Sequence, residues 1–159
     1  MPEALRIGLI GYGEVGKIFG AGLLGKPGVT AVGAWDLKFD RADTQAAEQA
    51  HAAQAGVHAH RSAQALCAAS DLVIAAVTAS STLAVAEEAA RHIRPGSVYL
   101  DLNSASPGTK RACAALIEGA GAAYVEAGVM TSVPPYGIRV PMVLAGARAA
   151  ELARALNAW

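Results

Sequence analysis

Residues 5–39 read LRIGLIGYGEVGKIFGAGLLGKPGVTAVGAWDLKF, and their order decides the fold. The stretch opens with an apolar run, Leu5–Ile10, that reads as a strand. Gly11, Gly13 and Gly16 follow at once in the spacing G-x-G-x-x-G. The amphipathic segment Val15–Leu24 reads as a helix. A second apolar run, Thr30–Trp35, is closed by Asp36, about twenty residues beyond the last glycine. A glycine triplet alone is weak evidence. Placed after a strand, opening a helix and followed by an acid at the end of the next strand, it specifies a unit that holds a dinucleotide. A methyltransferase site stays open at this point, because it uses a similar first turn and acid to hold S-adenosylmethionine.

Each residue type has a physical task. Gly11 permits the tight turn out of the strand. Gly13 carries no side chain, so a pyrophosphate can approach the backbone. Gly16 lets the helix pack against the strand. The helix N-terminus offers unpaired N–H groups and a partial positive charge, which suit a phosphate. Asp36 can accept hydrogen bonds from the hydroxyls of the adenosine ribose and repels a 2′-phosphate, which favours NAD over NADP. Lys38 and Arg41 stand just beyond and could soften that repulsion.

Working outward, the 159-residue chain has room for one core of ordinary size, with 53% apolar and 16% charged residues. Thirteen basic and thirteen acidic residues cancel, which argues against nucleic acid or an anionic membrane as partner. Met1-Pro2-Glu3-Ala4 runs straight into the first strand pattern, so no signal peptide and a cytoplasmic location are expected. No apolar run is long enough to span a bilayer. Cys67 and Cys113 lack metal-ligand spacing and fall in alanine-rich helical patterns; they read as idle or buried thiols.

The remaining chain alternates strand and helix patterns. Asp40 and Asp43 lead into a helix reaching about Gln54. A short third strand is expected over Val57–His60, a helix over Ser62–Ala69 and a fully buried strand over Leu72–Val77. A helix runs from Ser80 or Ser81 to about Ile93, and Pro95-Gly96 ends it. Ser97–Leu102 is the fifth strand. Ser106 and Pro107 cap and open a helix that stops near Gly119. Ala122–Val129 is the sixth strand and Arg139–Ala145 a seventh. The loop between these last two is too short for a parallel crossover, so the seventh should run antiparallel. A final helix, Arg148–Trp159, places Leu152, Leu156 and Trp159 on one face. The pattern is α/β: a Rossmann-type doubly wound, mainly parallel sheet whose ligand loops follow Ile10, Trp35, Val77, Leu102 and Val129.

Two of those loops resemble the β-hydroxyacid dehydrogenase family, which includes 3-hydroxyisobutyrate dehydrogenase and 6-phosphogluconate dehydrogenase and to which imine reductases are related. The family's acid-x-Ser-Thr-x-x-Pro motif after the fifth strand is matched by Asp101-Leu102-Asn103-Ser104-Ala105-Ser106-Pro107. Its substrate loop, typically Asp-Ala-Pro-Val-Ser-Gly-Gly, is matched by Glu126-Ala127-Gly128-Val129-Met130-Thr131-Ser132. Val133-Pro134-Pro135-Tyr136-Gly137 and Val140-Pro141-Met142 resemble a bacterial subgroup described only as 6-phosphogluconate-dehydrogenase-like. The resemblance covers nearly the whole chain. It implies that Gly11, Tyr12, Gly13, Glu14 and Val15 line the pyrophosphate turn, with Gly16 behind them, and that Asp36 holds the adenosine ribose. It further implies that Val77 and Thr78 lie along the middle of the NAD or NADP cofactor. Asn103 and Ser104 would reach the nicotinamide ribose and a small-molecule substrate. Met130, Thr131 and Ser132 would bind a substrate carboxylate.

The chain departs from the family in two ways. Met130 stands where a serine is usual, which removes one hydroxyl and argues against 6-phosphogluconate itself as substrate. The family's catalytic lysine lies on a helix beyond the nucleotide domain, and this chain stops at Trp159. The expectation is therefore a 1–159 cofactor domain, inactive alone, whose helical partner domain and homodimer contacts lie elsewhere. A stand-alone NAD(P)-binding sensor without turnover is the alternative. None of the lysines Lys17, Lys26, Lys38 and Lys110 matches the catalytic position. Lys17 follows the turn on the first helix, and the other three read as solvated. Tyr136 is a candidate acid whose simpler reading is a packing or rim residue. His51, His58, His60 and His92 read as structural or surface residues, with no metal site among them.

Overall fold

The computed structural model describes residues 4–159; Met1–Glu3, within the segment where no leader is expected, lie outside the described residues. The chain alternates β1 (Leu5–Ile10), α1 (Glu14–Leu23), β2 (Val29–Trp35), α2 (Gln45–Gln54), β3 (His58–Ala59), α3 (Ala63–Ala69), β4 (Leu72–Ala75) and α4 (Thr82–Ala90). It continues with β5 (Val98–Asp101), α5 (Pro107–Gly119), β6 (Ala123–Val129), β7 (Met142–Ala145) and α6 (Ala149–Asn157). The strands form one sheet in the order β3-β2-β1-β4-β5-β6-β7. All neighbours pair in parallel except β6 and β7, which are antiparallel, as the short connection requires. The strand order reverses between β1 and β4, and that point opens a crevice at the carboxyl ends of the strands.

Strand periodicity sorts the core into two layers. Leu5, Ile7 and Leu9 of β1, Leu72 and Ile74 of β4, and Val98 and Leu100 of β5 face one side, where they meet Phe19, Leu23 and Leu152. Ile10, Val73 and Tyr99 face the other, against Leu66, Cys67, Cys113 and Ile117. Each fully buried Leu or Ile contributes about 1.5–3 kcal/mol relative to exposure. The strands are covered on both faces, which is why they read as continuous apolar runs.

Several elements are shorter than their sequence patterns. β4 ends at Ala75 rather than Val77: Ala76 N–H makes the last ladder bond to β1, to Ile10 O at 2.9 Å, and Val77 N–H then turns to the Asn103 side chain at 2.6 Å. β3 keeps only two residues, paired with Gly33 and Ala34. α2 begins at Gln45, after a turn over residues 42–44. A 3₁₀ turn at Gly137–Arg139 likewise shortens β7. Ser62 and Ser106 cap α3 and α5 through their side chains, to Ala65 N–H and Thr109 N–H. The apolar face of α6 is packed onto the core. Leu152 is fully buried there, Leu156 and Trp159 pack beside it, and the Trp159 indole N–H donates to Pro27 O at 3.0 Å.

Candidate functional site

The glycine turn joins β1 to α1 at the crevice. Gly11 adopts φ +99°, and a Cβ there would lie 2.2 Å from the Ala76 carbonyl oxygen. A Cβ on Gly16 would lie 2.0 Å from the Gly11 carbonyl oxygen, so this glycine serves close packing of helix on turn. Gly13 differs, since a Cβ there would meet no atom within 4 Å. Its bareness serves no packing contact within the chain and leaves space in front of the backbone. Gly13 also precedes α1 without a side-chain cap, so the first N–H groups of the helix remain available to an anion.

Asp36 is held at the edge of the same space. Its Oδ2 accepts the Tyr12 backbone N–H at 2.6 Å and its Oδ1 accepts the Lys38 N–H at 2.9 Å. Each carboxylate oxygen keeps further acceptor capacity. Tyr12 turns its side chain away from the crevice and is fully buried. Its ring packs 5.5 Å from Phe39, and its hydroxyl meets His51 Nδ1 at 3.1 Å. His51, read as a structural or surface residue, thus supports the residue between the first two glycines of the turn. Lys17 is engaged with Glu48 at 2.8 Å.

These groups border a cleft of about 670 Å³. Gly11, Gly13, Glu14, Val15, Asp36, Val77, Thr78, Asn103, Ser104 and Thr131 all line it. The sequence-derived candidates Tyr12, Gly16, Met130, Ser132 and Tyr136 do not. Met130 is 64% exposed and Tyr136 52% exposed, on the loop and turn that follow β6. Lining residues come from the ends of β2, β1, β4, β5 and β6, a span of about 19 Å at ordinary strand spacing. The cleft therefore has two ends: Asp36 marks one and Asn103 with Thr131 the other.

Asn103 is the most constrained of these residues. Its side-chain Oδ1 accepts the Val77 N–H at 2.6 Å, and its own N–H donates to Asp101 Oδ1 at 2.9 Å. It is 5% exposed, and its Nδ2 has no partner among the described residues. The Trp35 indole N–H, near the Asp36 end, also has none. Behind Asn103 lies a polar cluster that the sequence reading missed. Lys110, expected to be solvated, is 5% exposed and meets Asp101 Oδ1 at 3.2 Å, while the Tyr124 hydroxyl donates to Asp101 Oδ2 at 2.6 Å. Helical spacing carried the signal for Lys110, which shares a stripe with the buried Cys113 and Ile117 at i+3 and i+7. Burial, and then the bond to Asp101, push the Tyr124 hydroxyl far above its ordinary range, so it stays a donor. Burial likewise pushes the Cys67 thiol up to about 12 and raises that of Cys113, which makes both poor nucleophiles.

Residues 6–156 match the family model described as the NAD binding domain of 6-phosphogluconate dehydrogenase. The chain belongs to that family. It is an NAD(P)-binding domain. Among solved structures it is similar to a conserved hypothetical protein from Sinorhizobium meliloti 1021, at 38% identity and TM-score 0.91 over 97% of this chain and 51% of that one. A conserved protein of unknown function, described as structurally similar to 3-hydroxyacid dehydrogenases, matches at 31% identity and TM-score 0.79, over 98% and 55%. A Mycobacterium tuberculosis 3-hydroxyisobutyrate dehydrogenase solved with L-serine shares the fold, at 23% identity and TM-score 0.81, over 96% and 50%. The chain thus spans about half the length of these structures. Comparison with curated protein sequences gave no significant match. No helix among the described residues is long and apolar enough to cross a membrane.

Proposed function

We propose that this chain is the cofactor-binding half of an NAD(P)-dependent oxidoreductase that acts on a small hydroxy acid or a related carboxylate or imine, with NAD preferred. The observation that carries this reading is one cleft bounded by a bare glycine turn at Gly13, an anchored carboxylate at Asp36 and an unpartnered amide at Asn103. The donor set fits a dinucleotide. Uncapped N–H groups of α1 face the place for a pyrophosphate, and Asp36 keeps lone pairs for ribose hydroxyls. Asn103 offers a donor at the far end.

When bound, the nicotinamide ring supplies or accepts the hydride. The residues of this chain orient and screen it. Val77, Leu102, Val129 and Val133 give the cleft apolar walls that exclude water. Ser104 and Thr131 present hydroxyls beside Asn103, placed to hold a substrate oxygen. Among the described lining residues the titratable side chains are Glu14, Asp36 and Lys38, all toward the adenosine and pyrophosphate end. A developing alkoxide at the opposite end needs a proton donor, and on this reading a lysine outside this chain supplies it, from a helical domain that completes the enzyme. The NAD preference follows from Asp36. Of the two cations that could offset its charge, Arg41 is paired with Asp43 at 2.8 Å and does not line the cleft, whereas Lys38 does.

Calorimetric titration of the chain with NADH, NADPH and S-adenosylmethionine tests the proposal. Tighter binding of NADH than of NADPH, without turnover of hydroxy acids by the chain alone, is expected. Binding of S-adenosylmethionine alone would overturn it.

A further inference from the structure

Asp101 is fully buried and Lys110 nearly so, yet the two form an ion pair under α5, on the sheet face away from α1. Such pairs are weak devices for stability. Desolvation of both charges offsets most of their attraction, and apolar replacements are often neutral or better. What this pair does secure is the direction of one carboxylate. Asp101 Oδ2 accepts the Tyr124 hydroxyl at 2.6 Å, and the Tyr124 ring is itself held by stacking on Tyr99, 6.1 Å away. Lys110 Nζ reaches both Asp101 Oδ1, at 3.2 Å, and the Asp101 carbonyl, at 3.4 Å. The same Oδ1 accepts the Asn103 N–H.

The bonds form a line from α5 and β6 to the floor of the cleft. Lys110 and Tyr124 orient Asp101, Asp101 orients Asn103, and Asn103 ties down Val77 on the neighbouring strand end. The Val77 bond has a second effect. With Oδ1 engaged, the Asn103 amide cannot turn over without losing a hydrogen bond, so its Nδ2 is kept as a donor. That Nδ2 is the one polar atom of the Asn103 side chain with no partner. A buried donor left alone costs about 1–3 kcal/mol, which a ligand oxygen recovers.

We propose that Lys110, Asp101 and Tyr124 are positioning residues that set Asn103 as the hydrogen-bond donor for the nicotinamide-side half of the bound dinucleotide, without themselves touching it. This rests on the dinucleotide reading above. They raise affinity for the second ribose and the ring beyond it, and leave the adenosine end unaffected.

The test is the ratio of two affinities. NADH spans both ends of the cleft, whereas ADP carries only the adenosine and its phosphates. Both are titrated calorimetrically into wild type, Asp101→Asn, Lys110→Met and Tyr124→Phe, with thermal midpoints recorded alongside. In Asp101→Asn and Lys110→Met the preference for NADH over ADP is expected to fall about tenfold, with ADP affinity within about twofold of wild type, as loss of one charge-assisted bond implies. Tyr124→Phe, which keeps the stacked ring and adds no charge imbalance, is expected to lower the ratio about threefold. Should the charge variants fail to fold, Tyr124→Phe decides. A merely structural role would lower the midpoint and weaken both ligands alike, and that unchanged ratio would overturn the inference. Asp36→Ala serves as the control and weakens both ligands together. A wild-type chain that binds neither NADH nor ADP overturns the cofactor reading, and this inference falls with it. Wild-type binding of both, with unchanged ratios in the variants, overturns only the positioning role.

Discussion

Asp71 and Asp101 each close on basic side chains at opposite ends of the same parallel sheet, and their surroundings differ. Asp71 precedes β4 at the amino end. It accepts the Arg6 backbone N–H and Nε, both at 2.9 Å, and pairs with Arg94 as well. Both arginines are over 40% exposed, so the cluster faces solvent. Hydrogen bonding to the Arg6 guanidinium, above all, holds the Asp71 carboxyl down at about 2. Asp101 closes β5 at the carboxyl end and is fully buried, with one lysine and one tyrosine for side-chain partners. The amino-end cluster ties β1 to the start of β4 and touches no cleft residue. The carboxyl-end cluster abuts the loop that forms the cleft. In an open parallel sheet the amino end can be spent on stability, because ligands bind at the other end.

Substitutions can break this division or sharpen it. The largest effect is expected from Asp36→Ala, which removes the proposed ribose acceptor and the anchor of two backbone N–H groups. NADH affinity should fall about 100-fold, near 2.7 kcal/mol, and the preference over NADPH should vanish in a titration with both. An unchanged preference would show that the ribose contact lies elsewhere. Gly13→Ala should weaken NADH about tenfold with the thermal midpoint within about 1 °C of wild type, because the added methyl meets no described protein atom and enters only the space proposed for a phosphate. A large drop in midpoint would make Gly13 a packing glycine like Gly16.

At the amino end the pattern should invert. Asp71→Asn should cost up to about 1 kcal/mol, seen as a midpoint lower by roughly 2–4 °C in a melt, with NADH affinity unchanged. The smallest effect concerns pH. The folded-state pKa of Asp71 is depressed, so its contribution is fully present above about pH 4 and is lost as pH falls through about 2. Solvent screening holds that contribution to under about 1 kcal/mol. Denaturant unfolding of wild type and Asp71→Asn should therefore converge between pH 4 and 2. Parallel curves would remove Asp71 as the cause.

Much of the fold was legible in the residues. The glycine turn, the acid after β2, the capping serine before Pro107 and the short β6–β7 loop each encode local geometry, and the structure follows them. Strand ends were legible less well. β4 looked longer because Ala76 and Val77 are apolar, yet the ladder ends with the Ala76 bond to Ile10 and Val77 turns to the Asn103 side chain in the cleft. Lys110 was misread for a related reason: its charge suggested solvent, while its position on α5 put it inside. Of the candidate loop 130–132, the lining includes only Thr131, while Met130 and Ser132 are exposed outside it.

Periodicity, glycine spacing and loop length act over a few residues each, so the strands, the antiparallel last strand and the crevice at the strand ends were legible in the residues alone. Only the tertiary structure decided which polar side chains work together. Asp101, Lys110 and Tyr124 come from three elements, up to 23 positions apart, and Tyr12 reaches Asp36 across 24. No local pattern encodes such pairings. They arise when parallel packing brings distant strand ends to one edge, where burial favours the pairing of polar groups.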